Sequence, residues 1–198
     1  MFNDTTDIQF EDTLREVEKE PIEALIIDLR ENTGGYLEVS KNIAEMFLKK
    51  GSIVYSLQSN NQTIDFKDIT NESRNYKIIV LVNSKTASAA EVLASALKYS
   101  YDAKIVGNKT FGKGKVQQKT NLIDGTSIKY TTAKWLMPNG KCLDGIGLIP
   151  DYEVDLDEKT FIEDDSYTDT QILYILNNLV DWFRQGFTFL DNIYHNNF

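Results

Sequence analysis

Ser88 and Lys113 stand 25 residues apart, in the segments Thr86-Ala-Ser-Ala-Ala-Glu91 and Thr110-Phe-Gly-Lys-Gly-Lys-Val-Gln117. A serine hydroxyl becomes a nucleophile when a neighbouring base takes its proton, and histidine is the usual base. The single histidine, His195, lies three residues from the end of the sequence, where chains are seldom tied down. Lysine is therefore the natural base for Ser88. A lysine working near neutral pH must be held partly neutral, at a cost of about 4 kcal/mol against the ammonium form. Burial in an apolar pocket supplies such a cost. Gln117 can accept a hydrogen bond from the lysine amine and orient it.

Each of these residues also has a plainer reading. Ser88-Ala-Ala-Glu91 fits the capping box, in which serine caps a helix and glutamate reaches back to its amide. Lys113 and Gln117 read alone are solvated surface side chains, although Gly112 and Gly114 suggest a constrained backbone presenting the lysine. The two readings differ in consequence. A lost cap costs about 1 kcal/mol of stability, whereas a lost nucleophile removes turnover and need not disturb folding.

A phosphate-binding loop is the competing chemistry. Gly107-Asn-Lys-Thr-Phe-Gly112-Lys113 matches the glycine and lysine positions of that motif, but Gly114 stands where a magnesium-binding Ser or Thr belongs. The following segment, Lys115 to Leu122, has β-type residues where the motif needs a helix, so nucleotide binding is set aside. One His and one Cys, Cys142, leave no soft-metal site and no internal disulfide. A net charge of −9, with acidic residues concentrated in 4–23 and 151–169, repels phosphate backbones and argues against a nucleic-acid partner. No stretch approaches the ~20 apolar residues of a membrane span, and Met-Phe-Asn-Asp-Thr-Thr-Asp is not a signal peptide.

The elements that must position these residues follow from the apolar pattern. A composition of 41% apolar and 26% charged residues supports one globular domain. Phe10, Leu14 and Val17 predict a helix over 10–20, stopped by Pro21. The runs 24–29 and 77–82 read as strands buried on both faces. Helices follow them at about 37–50 and 87–100, and a short strand returns at 104–106. Segment 58–76 is a loop or an edge hairpin. Segments 116–122 and 126–132 flank Asp124-Gly125, a hairpin turn signal. Pro138-Asn-Gly140 marks a turn, and Ile149-Pro-Asp151 ends the compact part. An acidic linker over 155–168 leads to an amphipathic helix over 169–186 that carries Ile172, Ile175, Leu176, Leu179 and Phe183. The fold class is α/β, a layer fold with an antiparallel addition after residue 115.

Loops at the carboxyl ends of buried strands hold the sites of open α/β sheets. Here those loops are 30–35 and 83–88. The second feeds a helix directly, so Ser88 sits at the helix N-terminus, where amides and dipole favour negative charge. The Ala89 amide can serve as one oxyanion donor, and Gly34 or Gly35 lets a second stretch of backbone approach.

The ordered segments Leu25 to Leu37, Ser88-Ala-Ala-Glu91, Gly107 to Gln117 and Gly147-Leu-Ile-Pro-Asp151 resemble the C-terminal processing, or tail-specific, proteases, a serine–lysine peptidase family. The resemblance runs from about Phe10 to Val154. It implies a ClpP/crotonase-like core of β-β-α units. It also implies Ser88 as nucleophile, Lys113 as general base and Gln117 as the residue positioning the lysine. The oxyanion hole would combine Ala89 with a glycine of the 34–35 pair, Gly34 preferred, and Asp28 and Arg30 would order that glycine loop. The reaction that the resemblance implies is endoproteolysis near unstructured protein C-termini, bound as an added strand, with no metal or organic cofactor. Related proteins usually hold a PDZ module and often an export signal, in keeping with a cell-envelope or extracytoplasmic setting. Neither is expected in these 198 residues, which read as one protease core. Homo-oligomerisation is left open. The alternative is a catalytically silent peptide-binding module of the same fold.

Overall fold

The computed structural model of the chain describes residues 1–60, 62–156, 169–179 and 182. His195, Phe183 and most of the expected acidic linker lie outside the described residues. Two four-stranded sheets organise the rest. The first is parallel throughout, in the order β1 (Ala24–Asp28), β4 (Lys77–Val82), β5 (Lys104–Gly107), β8 (Tyr152–Glu153). The second is antiparallel, in the order β3 (Gln62–Lys67), β2 (Ile53–Ser59), β7 (Ser127–Leu136), β6 (Lys115–Asn121). Helices α1 (Thr6–Val17), α2 (Leu37–Glu45), α3 (Ala89–Ala96) and α4 (Thr170–Asn178) complete the layers. The α/β class and the antiparallel addition expected from the sequence are both present.

Strand β4 shows why its sequence is apolar throughout. Ile78, Val80 and Val82 point into the main core, with α2, α3, Val54 of β2 and Trp135 of β7. Ile79 and Leu81 point the other way, and with Val106 they meet Ile175 and Leu179 at α4. Both faces are thus closed, which excludes water from the centre of the parallel sheet. Helix α3 is buried at all eight positions, and its small alanines let it pack tightly between the two sheets. After Ala96 the chain widens into a short π-helical stretch, Leu97–Tyr101.

Several sequence expectations need correction. Strand β1 is not buried on both faces but lies at the sheet edge, with Ile26 37% exposed. Among the described residues the small cluster under α4 draws on β4, β5 and β8 and includes no side chain of β1. Helix α1 starts earlier than expected because its first turn is polar, and the Asn3 side chain ties Thr5 and Thr6. Helix α2 stops at Glu45, yet Phe47 and Leu48 remain fully buried in tightened turns, so the apolar stripe outlasts the helix. The compact part does not end at Asp151. Tyr152 and Glu153 pair with Val106 and Gly107 as β8, a strand too short to leave a periodic signal.

The N-terminus of α4 returns to the loop after β1. Asp169 caps α4 by accepting from the Gln171 and Ile172 amides, and its other carboxylate oxygen accepts from Arg30 Nη1 at 2.6 Å. Arg30 also grips Asp28 through Nε and Nη2 and donates to Gln171. The bonds to Asp28, and then those to Asp169, hold the guanidinium above the usual arginine range despite its burial. Asp169 is only 7% exposed at the side chain, so losing Arg30 strands a buried carboxylate. Arg30→Ala is expected to cost about 3 kcal/mol in denaturant unfolding. Arg30→Lys should recover little of it, because lysine cannot reproduce the fork that spans Asp28 and Asp169. A loss below about 1 kcal/mol would contradict this role.

Candidate active site

Strand β4 ends at Val82, and six residues later the chain reaches Ser88 at the start of α3. Ser88 adopts φ 58° and ψ −122°. A serine acting only as a helix cap keeps ordinary extended backbone angles. A positive φ outside the left-handed helical well costs a side-chain-bearing residue about 1–3 kcal/mol. Sharp strand-to-helix turns that expose a nucleophile store this kind of strain. The cap reading accounts for Glu91 but not for this backbone.

Glu91 belongs to that turn and is fully buried. Its carboxylate accepts four hydrogen bonds. The Ser88 N–H reaches Oε2 at 2.8 Å, and the Lys113 N–H reaches the same oxygen at 2.9 Å. The Gly112 N–H and the Thr110 hydroxyl reach Oε1 at 2.7 Å and 2.5 Å. One side chain therefore fixes the serine turn and the lysine loop to each other. Thr110 extends the connection, since its Oγ1 accepts the Leu148 N–H at 2.7 Å. The loop is folded tightly. Gly112 has φ +88°, and a Cβ there would come within 2.8 Å of the Gly147 nitrogen.

The glycine loop is tied to the same turn from the other side. The Asn32 carbonyl accepts the Ala87 N–H at 3.0 Å, and the Asn32 side chain accepts the Gly34 N–H at 3.0 Å. Thr86 Oγ1 donates to the Leu29 carbonyl at 2.8 Å. Gly34, at φ +95°, is pressed against the serine turn. A Cβ there would lie 2.7 Å from the Ala87 carbonyl, 2.8 Å from Ser88 Cβ and 2.9 Å from the Ala89 nitrogen. The Gly34 carbonyl accepts the Phe2 N–H at 2.7 Å. Among the described residues, the amides of Gly35 and Ala89 have no protein acceptor.

A cavity of about 290 Å³ opens beside this turn, lined by Gly35, Ser88, Ala89, Lys113 and Gln117 together with Leu37, Val116 and Trp135. Five of the six residues singled out from sequence thus share one space. Gly34 lies behind it, buried, with its amide occupied. Trp135 donates from Nε1 to the Lys113 carbonyl at 2.9 Å, which braces the lysine loop against β7. Lys113 and Gln117 are exposed, so the burial expected of a neutral lysine is not met by the chain's own side chains. No group of three acidic, His or Cys side chains among the described residues could hold a metal ion.

Sequence reasoning missed the reach of Glu91 to the lysine loop, the part of Asn32 and the brace from Trp135. Asn32, two residues before Gly34, carries the spacing of an Asx turn and was open to discovery. Nothing in the sequence connects Trp135 to Lys113.

Known proteins are similar to this chain. Residues 1–154 match the profile of Peptidase family S41. A protein of Staphylococcus haemolyticus (strain JCSC1435) named "Probable CtpA-like serine protease" is 36% identical over 156 residues, which cover 77% of this chain and 32% of that protein. One of the same name from Staphylococcus aureus (strain COL) is 37% identical over 157 residues, covering 78% and 32%. The chain thus spans about a third of the length of these curated relatives. Among solved structures, the photosystem II D1 C-terminal processing protease superposes with a TM-score of 0.74 at 33% identity, covering 78% of this chain and 40% of that one. A lipoprotein from Streptococcus agalactiae shares the fold, with a TM-score of 0.62 at 20% identity, covering 78% and 58%.

Glu91→Gln tests the clamp. Each Glu91 oxygen serves two donors, so an amide NH2 in either place faces two of them. The expected loss is about 3 kcal/mol or more, read by urea unfolding, with faster hydrogen exchange at the Gly112 and Lys113 amides. A loss under about 1 kcal/mol, with exchange unchanged, would show that the clamp is dispensable.

Proposed function

The chain belongs to peptidase family S41, and from that premise and the geometry around Ser88 we propose that it is the catalytic core of a serine endopeptidase. It works through a Ser88–Lys113 dyad and cuts proteins near their unstructured C-termini. The observation that carries the reading is the strained Ser88, set at the N-terminus of a buried helix and sharing one cavity with Lys113, Gln117, Ala89 and Gly35.

In the first step the neutral Lys113 Nζ takes the proton of Ser88 Oγ, and Oγ bonds to the scissile carbonyl carbon. The carbonyl oxygen becomes an oxyanion that accepts from the Ala89 and Gly35 amides, the two donors without protein acceptors. Gly34 then serves as the spacer that lets the loop lie against the serine turn, rather than as a donor. Lys113, now an ammonium, protonates the leaving amine as the C–N bond breaks. Water attacks the acyl-enzyme ester with Lys113 again as base, releasing a carboxylate and restoring Ser88. Gln117 positions the lysine amine.

The exposure of Lys113 assigns a part to the substrate. Among the described residues strand β6 is the last strand of its sheet and pairs only with β7, so its outer edge can take up an extended peptide. A peptide laid there covers Lys113 and removes water from the cavity, which favours the uncharged amine over the ammonium. The processing of a C-terminus, for which the similar solved protease is named, fits a site reached along an open strand edge. For the whole protein we infer an extracytoplasmic setting. No described helix is long and apolar enough to cross a membrane.

The rival reading is a silent peptide-binding module, and the exposure of Lys113 is the observation that favours it. Cleavage of unstructured C-terminal peptides separates the two. Wild type is expected to turn over, while Ser88→Ala and Lys113→Ala each lose about 1000-fold or more, with circular dichroism unchanged and peptide binding retained. Equal turnover in Ser88→Ala would overturn the mechanism. Binding without turnover in wild type would establish the module.

A further inference from the structure

The β6–β7 hairpin runs against the charge of the rest of the chain. Between residues 115 and 136 it carries Lys115, Lys119, Lys129 and Lys134 against one acid, Asp124, in a protein of net charge −9. Asp124 is engaged within the turn, accepting from the amide and hydroxyl of Thr126. The lysines are placed in register. Lys115 stands opposite Lys134, and Lys119 opposite Lys129, although like charges directly across a sheet repel. Among the described residues only Lys115 of these four forms an ion pair, with Asp144 at 3.6 Å.

Their position gives the charge a direction. Side chains alternate between faces along a strand, so Lys115, Gln117 and Lys119 share one face of β6, and Lys129 joins it from β7. Lys115, Gln117 and Lys129 line the cavity that holds Ser88 and Lys113. The outer edge of β6, unpaired among the described residues, runs beside this face.

Building on the peptidase reading, we propose that the hairpin selects acidic substrates. An extended segment added along β6 presents Asp or Glu at alternate positions to Lys115, Lys119 and Lys129, beside Ser88. The lysine pairs that repel each other in the free chain are relieved when these carboxylates arrive. The negative surface elsewhere disfavours binding of such a segment at other places, so the hairpin also directs it to the cavity.

The test uses three peptides of equal length with Glu, Gln or Lys at alternate positions. Each is measured twice, by fluorescence anisotropy with the Ser88→Ala chain and by kcat/KM with the wild-type chain. The acidic peptide should bind and be cut best and the basic one worst. Roughly three- to tenfold should separate acidic from neutral, the size of two or three exposed ion pairs. That gap should close as salt rises from about 0.05 M to about 0.5 M. In Lys119→Glu/Lys129→Glu, both solvent-exposed positions, the order should invert, and Lys119→Gln/Lys129→Gln should flatten it. Equal binding of the three peptides, no binding of any, or an order that survives charge reversal would overturn the proposal. So would duplex DNA or anionic vesicles binding as tightly as the acidic peptide and losing affinity in the same variants. The binding arm needs no turnover, so a chain that binds in this order but never cuts defeats only the peptidase reading. Cutting without charge preference defeats only the present one.

Discussion

Glu91 sits where no water reaches and gathers donors from two loops that have no other reason to meet at that spacing. Its Oε2 accepts the backbone amides of both Ser88 and Lys113, so the proposed nucleophile and the proposed base hang from one atom. A buried carboxylate is tolerable only when its lone pairs are filled. That requirement holds in both directions. The lysine loop must fold so that Thr110, Gly112 and Lys113 all face Glu91, and the serine turn must stay at its strained angles for the Ser88 amide to do the same. The strain at Ser88 is thus held in place by hydrogen bonds that cannot be exchanged for water.

The rest of the architecture serves that arrangement. The parallel sheet carries the glycine loop and the serine turn out at the carboxyl ends of adjacent strands β1 and β4, as open α/β sheets generally do. The Asn32 carbonyl, accepting from Ala87, and the Thr86 hydroxyl, donating to Leu29, stitch these two loops together. Helix α3, buried on every side, keeps the turn from shifting against the core. The antiparallel sheet brings Trp135 up to the lysine carbonyl and, among the described residues, leaves the outer edge of β6 unpaired. A buried inner half and an exposed Lys113 suit the proposed site, in which the substrate would complete the enclosure.

How much of this the sequence reveals varies from residue to residue. Strand β4 was plain, because closure on both faces demands an unbroken apolar run. Strand β1 has a similar run, and it misleads, since the extent of the covering helix decides whether Ile26 is buried and no local pattern encodes that. Ser88, Lys113, Ala89 and Gln117 were all readable as candidates. Gly34 and Gly35 were readable as a pair with Gly34 preferred as donor, whereas the Asn32 side chain occupies the Gly34 amide and leaves that of Gly35 the better placed. Glu91 was read as a cap. Its larger part depends on contacts 19 to 22 residues away in the chain, and such tertiary hydrogen bonds leave no periodic trace. The exposure of Lys113 ran against an expectation that rested on chemistry alone, and in the proposed mechanism it shifts the task of excluding water from the protein to the substrate.

The central claim is that Lys113 activates Ser88 within this folded turn. The most direct measurement is covalent labelling of the native chain with a fluorophosphonate, followed by peptide mapping with mass spectrometry. A single adduct on Ser88 is expected, formed far more slowly in Lys113→Ala and not at all after unfolding in urea. Label on other serines at equal rates, or labelling of Ser88 that is indifferent to Lys113, would contradict it.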